Sequence, residues 1–514
     1  MRIHRFAALY LVLAGAFAAA EVRLPNVFSD HAVVQRGQPV RIWGWAAPAE
    51  KVQVSFHAQK LIATADQDGA WEIWLRPEQA GGPYTLHVEG DQSAAPLERA
   101  DILVGDVWLA SGQSNMEMPL AGWGPLQIKD AAKEIAAANR PRIRLLVQTK
   151  RTSAVPVDDT ADTWKICTPD TVKEFSAVAY LFGRRIAEEQ NVPVGLIDTT
   201  WGGSPAHAWI SAEGLAWANL PSVVYDGGAL VRKQGYMDAV KENKQAQIAA
   251  AKAAGRPEPK FQDKTMWPRG DHNGSWTPST LFNGMIAPFT RYSIKGVIWY
   301  QGETDNEGMK ALNYSRVFPA LIEDWRKQWA EGPLPFLYVQ ISSYDGGPAW
   351  STVRDAQRRA LQLEKTGMVV TLDLGSAKNV HPPDKQTVAA RLDAAAQQIA
   401  YGQNIEGVSP LLVEVTTEGG AIRAWLSHAD GLHSADASPG DFEVAGDDGK
   451  WAAATAKIEA VDGWTTVVAS SPDVPAPKQI RYGWNAVVSS FLYNSAGLPM
   501  GTFTSESDAR MMVP

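Results

Sequence analysis

The pattern of hydrophobic and polar positions divides this chain into three stretches. From Glu21 to about Ala100 apolar residues alternate with polar ones, in Val52, Val54 and Phe56, in Trp71, Ile73 and Leu75, and in Tyr84, Leu86 and Val88. Asp68-Gly69 and Gly81-Gly82-Pro83 read as the turns between these strands. The pattern predicts an antiparallel β-sandwich over residues 21–100, the size such modules usually have. Nothing in it looks catalytic.

After Asp101 strand-like runs alternate with helix-like ones. The expected order is strand Val107 to Ala110, helix Ser176 to Gln190, strand Val194 to Thr200, strand Gly296 to Tyr300, helix Tyr314 to Ala330, strand Phe336 to Ile341, helix Ser351 to Lys365, strand Met368 to Leu374 and helix Lys385 to Tyr401. In the last helix Val388, Leu392, Ala395 and Ile399 share a face, and Gly402 is its stop. Such alternation predicts an α/β unit over 101–407, a doubly wound parallel sheet with helices on both faces that binds ligands beyond the carboxyl ends of its strands. A helical run from Met237 to Ala254 and a Pro-, Gly- and Trp-rich tail interrupt the alternation over about 212–280, and read as an insertion at the rim of a site. From about Val408 to the end the period returns to two, with Asp448-Gly449 as a hairpin turn, which predicts a second β-rich domain.

Four polar loops follow strands of the α/β unit, so all four should open on one edge. Ser114, in Gly112-Gln113-Ser114-Asn115, is the candidate nucleophile. The surrounding GQSNM is not the GxSxG elbow of the α/β-hydrolases. In WGGSPAHAW, Ser204 is expected to cap a helix begun by Pro205, which puts the amides of Gly202 and Gly203 at a helix start suited to an oxyanion. Gln301 can donate a side-chain amide to the same oxyanion, and Glu303 either orients that network or caps a turn. His381, held rigid by Pro382 and Pro383, is the candidate base.

Composition narrows the setting. A net charge of −8 and a pI near 5.7 argue against a nucleic-acid or anionic-membrane surface. Arg2 and Arg5, the apolar Phe6 to Leu13 and the small residues before Glu21 read as an export signal over residues 1–20, placing the mature chain in the periplasm or outside the cell with no later membrane span. Cys167 is the only cysteine and the nine histidines are scattered, so neither an internal disulfide nor a metal site or other cofactor is expected. Twenty tryptophans fill cores or serve as platforms for sugar faces.

These segments resemble the blocks of the SGNH hydrolase superfamily, and in detail the chain resembles the sialate O-acetylesterase family of carbohydrate esterases. The resemblance covers most of the mature chain and is carried by FSDHAVVQR (Phe28 to Arg36), GDVWLASGQSNMEM, WGGSPAHAW, LFNGMIAP (Leu281 to Pro288), GVIWYQGETDN, HPPDKQ, RYGW and GLP. It implies an SGNH-type sheet and metal-free hydrolysis of O-acetyl esters on sugars, an oligosaccharide or polysaccharide; the family name suggests O-acetyl sialic acid, while a Trp-rich site with a large insertion suits acetylated xylan or xyloglucan at least as well. It also implies Ser114 as nucleophile, His381 as base, and an oxyanion hole made by the Ser114 amide, Gly202 and Gln301. Relatives usually carry an aspartate two residues before this histidine, whereas this chain has Asn379. Asp373, Asp384 and Glu303 are then candidates for the third residue, with a Ser-His dyad as the other solution. A non-catalytic carbohydrate-binding protein is the alternative of a different class, and a lipase-like esterase a distant third.

Overall fold

The computed structural model describes residues 21–218, 220, 274–306 and 308–506. The first stretch builds β1 (Val33–Gln35), β2 (Val40–Trp45), β3 (Lys51–Phe56), β4 (Gln59–Thr64), β5 (Ala70–Leu75) and β6 (Gly81–Gly90). β3 lies antiparallel between β4 and β6, and β2 pairs with β5. The alternation does what a pleated strand requires, sending Val52, Val54, Phe56, Leu86 and Val88 inward. Asp68-Gly69 is a turn, but Gly81-Gly82-Pro83 is not. It opens β6, with a register shift against the next strand where a turn was expected.

That next strand, β7 (Leu97–Gly112), is shared by two regions. Its first half pairs antiparallel with β6, and its second half lies parallel between two strands of the α/β unit. The domain boundary expected near residue 100 therefore falls inside one continuous strand. Asp101, at φ 56°, bends it there, and the Arg144 guanidinium and His31 ring both hold the Asp101 carboxylate at 2.7 Å.

The α/β sheet adds β8 (Arg140–Val147), β9 (Lys165–Cys167), β10 (Val194–Thr200), β11 (Gly296–Tyr300), β12 (Phe336–Gln340) and β13 (Thr366–Val370), in the order β13-β12-β11-β7-β10-β8-β9. Every pairing is parallel except that of β9 with β8. The sequence pattern missed β8 because Pro141 and three arginines break any alternation in it. Among the described residues four long helices cover the sheet, α1 (Ala177–Glu189) packing on α4 (Lys385–Ile399), and α2 (Gly308–Trp329) on α3 (Trp350–Arg359). Ser176 and Asp384 cap α1 and α4 through their side-chain oxygens. Two expectations shorten. β13 stops at Val370 and gives way to a 3-10 turn, Leu372–Leu374, while α3 stops at Arg359 before another. Trp299 sits in the middle of the core, edge-on to Trp209 and Trp325.

Beyond Leu411 the chain forms two antiparallel four-stranded sheets with a hydrophobic cluster of their own. The Asp448-Gly449 turn joins Phe442–Ala445 to Trp451–Ala453, with Gly449 at φ 68°. Fully buried Arg354 ties this region to the α/β unit, donating to the carbonyls of Ile341, Ser342, Asn485 and Ala486. Among the described residues no helix is long and apolar enough to cross a membrane. The expected export signal, most of the insertion and its helical run Met237 to Ala254 lie outside the described residues.

Candidate active site

The tips of β7, β10 and β11 are joined by backbone hydrogen bonds, Gln113 N–H to Tyr300 O at 2.9 Å and Trp201 N–H to Gly112 O at 3.0 Å. Gly112 permits this approach. Its φ is 129°, and a side-chain carbon there would stand 2.2 Å from Tyr300 O. The chain then winds into one helical turn, Ser114–Glu117, which presents the Ser114 hydroxyl at the carboxyl edge of the sheet.

His381 arrives from the loop after β13, and its Nε2 lies 2.8 Å from Ser114 Oγ. Two residues 267 positions apart thus meet at hydrogen-bond distance. Trp123 stands edge-on to the imidazole at 5.6 Å between ring centres. Burial, then the Lys385 ammonium, pushes the His381 pKa down to about 4, so the ring is neutral at pH 7 and able to accept a proton.

The candidates for a third residue lie elsewhere. Asn379 Oδ1 accepts from the His381 backbone amide at 3.0 Å rather than from the ring. Asp373 is engaged by both terminal nitrogens of Arg391 and by Tyr493, and Asp384 caps α4 and pairs with Lys129. Glu303 accepts from Asn115 Nδ2. Among the described residues, no carboxylate accepts from His381 Nδ1.

The Ser114 amide has no acceptor among the described residues. Gly202 lies beside Ser114, since a side-chain carbon on Gly202 would stand 3.4 Å from Ser114 Cβ. Its N–H donates to Glu117 Oε2, and Lys150 neutralises the other oxygen of Glu117 at 2.6 Å. The expected helix after Pro205 is instead a four-residue 3-10 turn, Ala206–Trp209, that Ser204 does not cap. The Ser204 hydroxyl turns back to Trp201 O and accepts from Trp209 Nε1.

Gln301 also differs from expectation. It is fully buried, and its side-chain nitrogen donates to Ser204 O at 3.1 Å and to Asp305 Oδ2 at 2.5 Å, while its Oε1 accepts from Tyr314 at 2.9 Å. Both amide hydrogens are committed inside the protein, so none is aimed at an oxyanion. Asp305 Oδ2 also accepts from Ala206 N–H, and the pair holds the Gly202-to-Ala206 turn in place.

Sequence reasoning passed over Asn115, Glu117 and Lys385. Lys385 was detectable, because it lies on the same helical stripe as Val388 and Leu392 and is buried with them. Asn115 and Glu117 carried no signal beyond their closeness to Ser114.

A family model described as carbohydrate esterase, sialic acid-specific acetylesterase, matches residues 104–253 and 266–397. The chain is 30% identical to human sialate O-acetylesterase over 422 residues, 74% of this chain and 72% of that protein. It is 28% identical to the mouse sialate O-acetylesterase over 81% of each chain. Among solved structures, a carbohydrate acetylesterase from Xanthomonas citri aligns over 95% of this chain and all of its own, at 32% identity and a TM-score of 0.79.

Proposed function

Because this chain belongs to the sialic acid-specific acetylesterase family of carbohydrate esterases and is a carboxylic ester hydrolase, we propose that its Ser114-His381 pair removes acetyl groups from O-acetylated sugars by serine catalysis on an SGNH-type sheet flanked by β-sandwich domains. The observation that carries the reading is the 2.8 Å contact between His381 Nε2 and Ser114 Oγ. Ser114 Oγ attacks the acetyl carbonyl as His381 Nε2 takes its proton. The carbonyl oxygen becomes an oxyanion held by the Ser114 amide and by Gly202 N–H, which exchanges Glu117 for it. Gln301 supports that hole at one remove, through Ser204 and Asp305. The intermediate collapses as His381 returns the proton to the sugar oxygen, and water activated by the same ring releases acetate from the acetyl-enzyme.

Half-buried Trp123 stands edge-on to His381, half-buried Trp201 precedes Gly202, and half-buried Trp276 donates its Nε1 to Gly203 O at 2.7 Å. They offer the aromatic faces on which sugar rings stack. The substrate is an acetylated oligosaccharide or polysaccharide, with O-acetyl sialic acid and acetylated xylan or xyloglucan as the two classes to test, and the setting is periplasmic or extracellular.

The test is acetate release by the wild type and Ser114→Ala on matched acetylated xylan, xyloglucan and 9-O-acetyl sialoside, with labelling by a serine-directed fluorophosphonate. Release and labelling that both vanish in Ser114→Ala are expected. An intact wild type that neither releases acetate nor takes the label would leave a carbohydrate-binding protein.

A further inference from the structure

Behind the Ser114-His381 pair runs a buried polar chain that the proposed reaction does not use. Asn115, fully buried and next to the nucleophile, holds three partners. Its Oδ1 accepts from Lys385 Nζ at 2.6 Å, and its Nδ2 donates to Glu303 Oε1 and, at 2.9 Å, to Val380 O. Val380 immediately precedes His381. One side chain therefore ties the turn of the nucleophile to the loop of the base, to the start of α4 and to the loop after β11. Lys385 is fully buried, and the Tyr300 ring lies 5.2 Å from its Nζ. Glu303 Oε2 is buried without a partner among the described residues.

Burying a lysine and a glutamate with an amide between them carries a large desolvation cost. A purely structural join of these loops would be cheaper with apolar residues. The arrangement makes sense if the charge acts on its neighbour.

We propose that Lys385, Asn115 and Glu303 form a clamp that positions the Ser114-His381 pair, with the Lys385 ammonium as the charge that keeps the His381 ring in its proton-accepting form. The inference rests on the serine-histidine reading. The groups facing His381 are Ser114, Asn379, Trp123 and Lys385; those facing Lys385 are Asn115, Glu303, Tyr300 and His381; Asp305 adds a second carboxylate near Glu303. Burial pushes Lys385 down to about 7 against the pull of Glu303, so it is charged wherever His381 titrates. A fixed cation disfavours the imidazolium and lets the ring act as a base at lower pH. Lys385 is thus a positioning residue that reaches the substrate only through His381.

The experiment titrates the His381 ring by NMR in isotopically labelled protein, assigned with His381→Gln, and in parallel follows kcat/KM against pH on a chromogenic acetyl ester. In the wild type both should titrate well below the ordinary value of about 6.5. Lys385→Met should raise the midpoint by about half a unit or more, lowering activity threefold or more at the acid end relative to its plateau. Lys385→Arg, which keeps the charge, should stay nearer the wild type. A folded Lys385→Met with an unmoved His381 midpoint overturns the proposal, as does a wild-type midpoint at the ordinary value. Should Lys385→Met fail to fold, the wild-type titration and Lys385→Arg decide. Absence of hydrolysis in the wild type refutes the proposed reaction alone, because the NMR titration reads His381 without turnover.

Discussion

Replacing Gln301 by alanine separates two ways in which a buried amide can serve an oxyanion hole. The Gln301 side chain donates to Ser204 O and Asp305 Oδ2 and accepts from Tyr314. Its removal deletes three hydrogen bonds, one of them to a carboxylate, and strips that carboxylate of one of two donors while Ala206 N–H remains. At about 1 kcal/mol for each neutral bond and 1.5–3 for one to a charged group, with partial relaxation, we expect a stability loss of about 2–4 kcal/mol. The melting temperature should fall by several degrees. The hole loses its support and not a donor, so kcat should fall by less than the hundred- to thousandfold typical of a deleted oxyanion donor. Thermal unfolding and steady-state hydrolysis of an acetyl ester, on the same preparations, read both quantities. A hundredfold or greater loss of kcat with an unchanged melting temperature would refute this reasoning and make Gln301 a direct donor.

Two further predictions concern charge. Asp198, buried at the end of β10 with Thr200 Oγ1 at 2.7 Å and the Glu117 carboxylate nearby, is pushed up to about 7, mainly by burial. Its folded pKa is raised, so the stability tied to its proton is present below the ordinary carboxylate range and lost as pH rises through about 7. Asp198→Asn keeps an acceptor for Thr200 and should raise the melting temperature more at pH 8 than at pH 5, by up to about 2–4 kcal/mol in stability. Equal gains at both pH values would show that Asp198 is ionised throughout. Asn379→Asp keeps the acceptor for the His381 amide and adds a negative charge close to the ring, so the acid limb of kcat/KM should move to higher pH; a limb that stays in place would mean that the new carboxylate is screened from the imidazole.

The fold was legible wherever burial is one-sided and regular. The clean alternation of β3 and the continuous apolar run of β11 located both strands, and the stripe of α4 was read to within two residues of its end. It was illegible where tertiary context overrides local pattern. β8 carries Pro141 and several charges yet is accepted by the sheet, and β7 runs through a boundary that the change of period seemed to mark. At the site, strand-then-polar-loop logic brought Ser114, Gly202, Gln301 and His381 to one edge, because that edge is a property of parallel topology. Orientation was beyond it. Which way the Gln301 amide points depends on Ser204, Asp305 and Tyr314, and only Asp305 is near it in sequence.

Among the described residues no carboxylate stands behind the His381 ring, and its protonation becomes a matter of balance. In a triad, the acid fixes the imidazole tautomer and favours the imidazolium, and loss of its charge costs about ten-thousandfold in a serine protease, largely through the wrong tautomer. Here the 2.8 Å contact asks for an unprotonated Nε2 facing Ser114, and the neighbouring Lys385 opposes protonation. A ring of lowered pKa is a weaker base toward the serine, but once protonated it is a stronger acid toward the departing sugar oxygen. Such a ring spends less of its population as imidazolium in mildly acidic surroundings. Lys385, held by Asn115 and opposed by Glu303, therefore acts in the opposite sense to a triad aspartate: it favours the neutral ring, while the hydrogen bonds of Asn115 to Val380 O and Glu303 hold the loop that carries the ring in place.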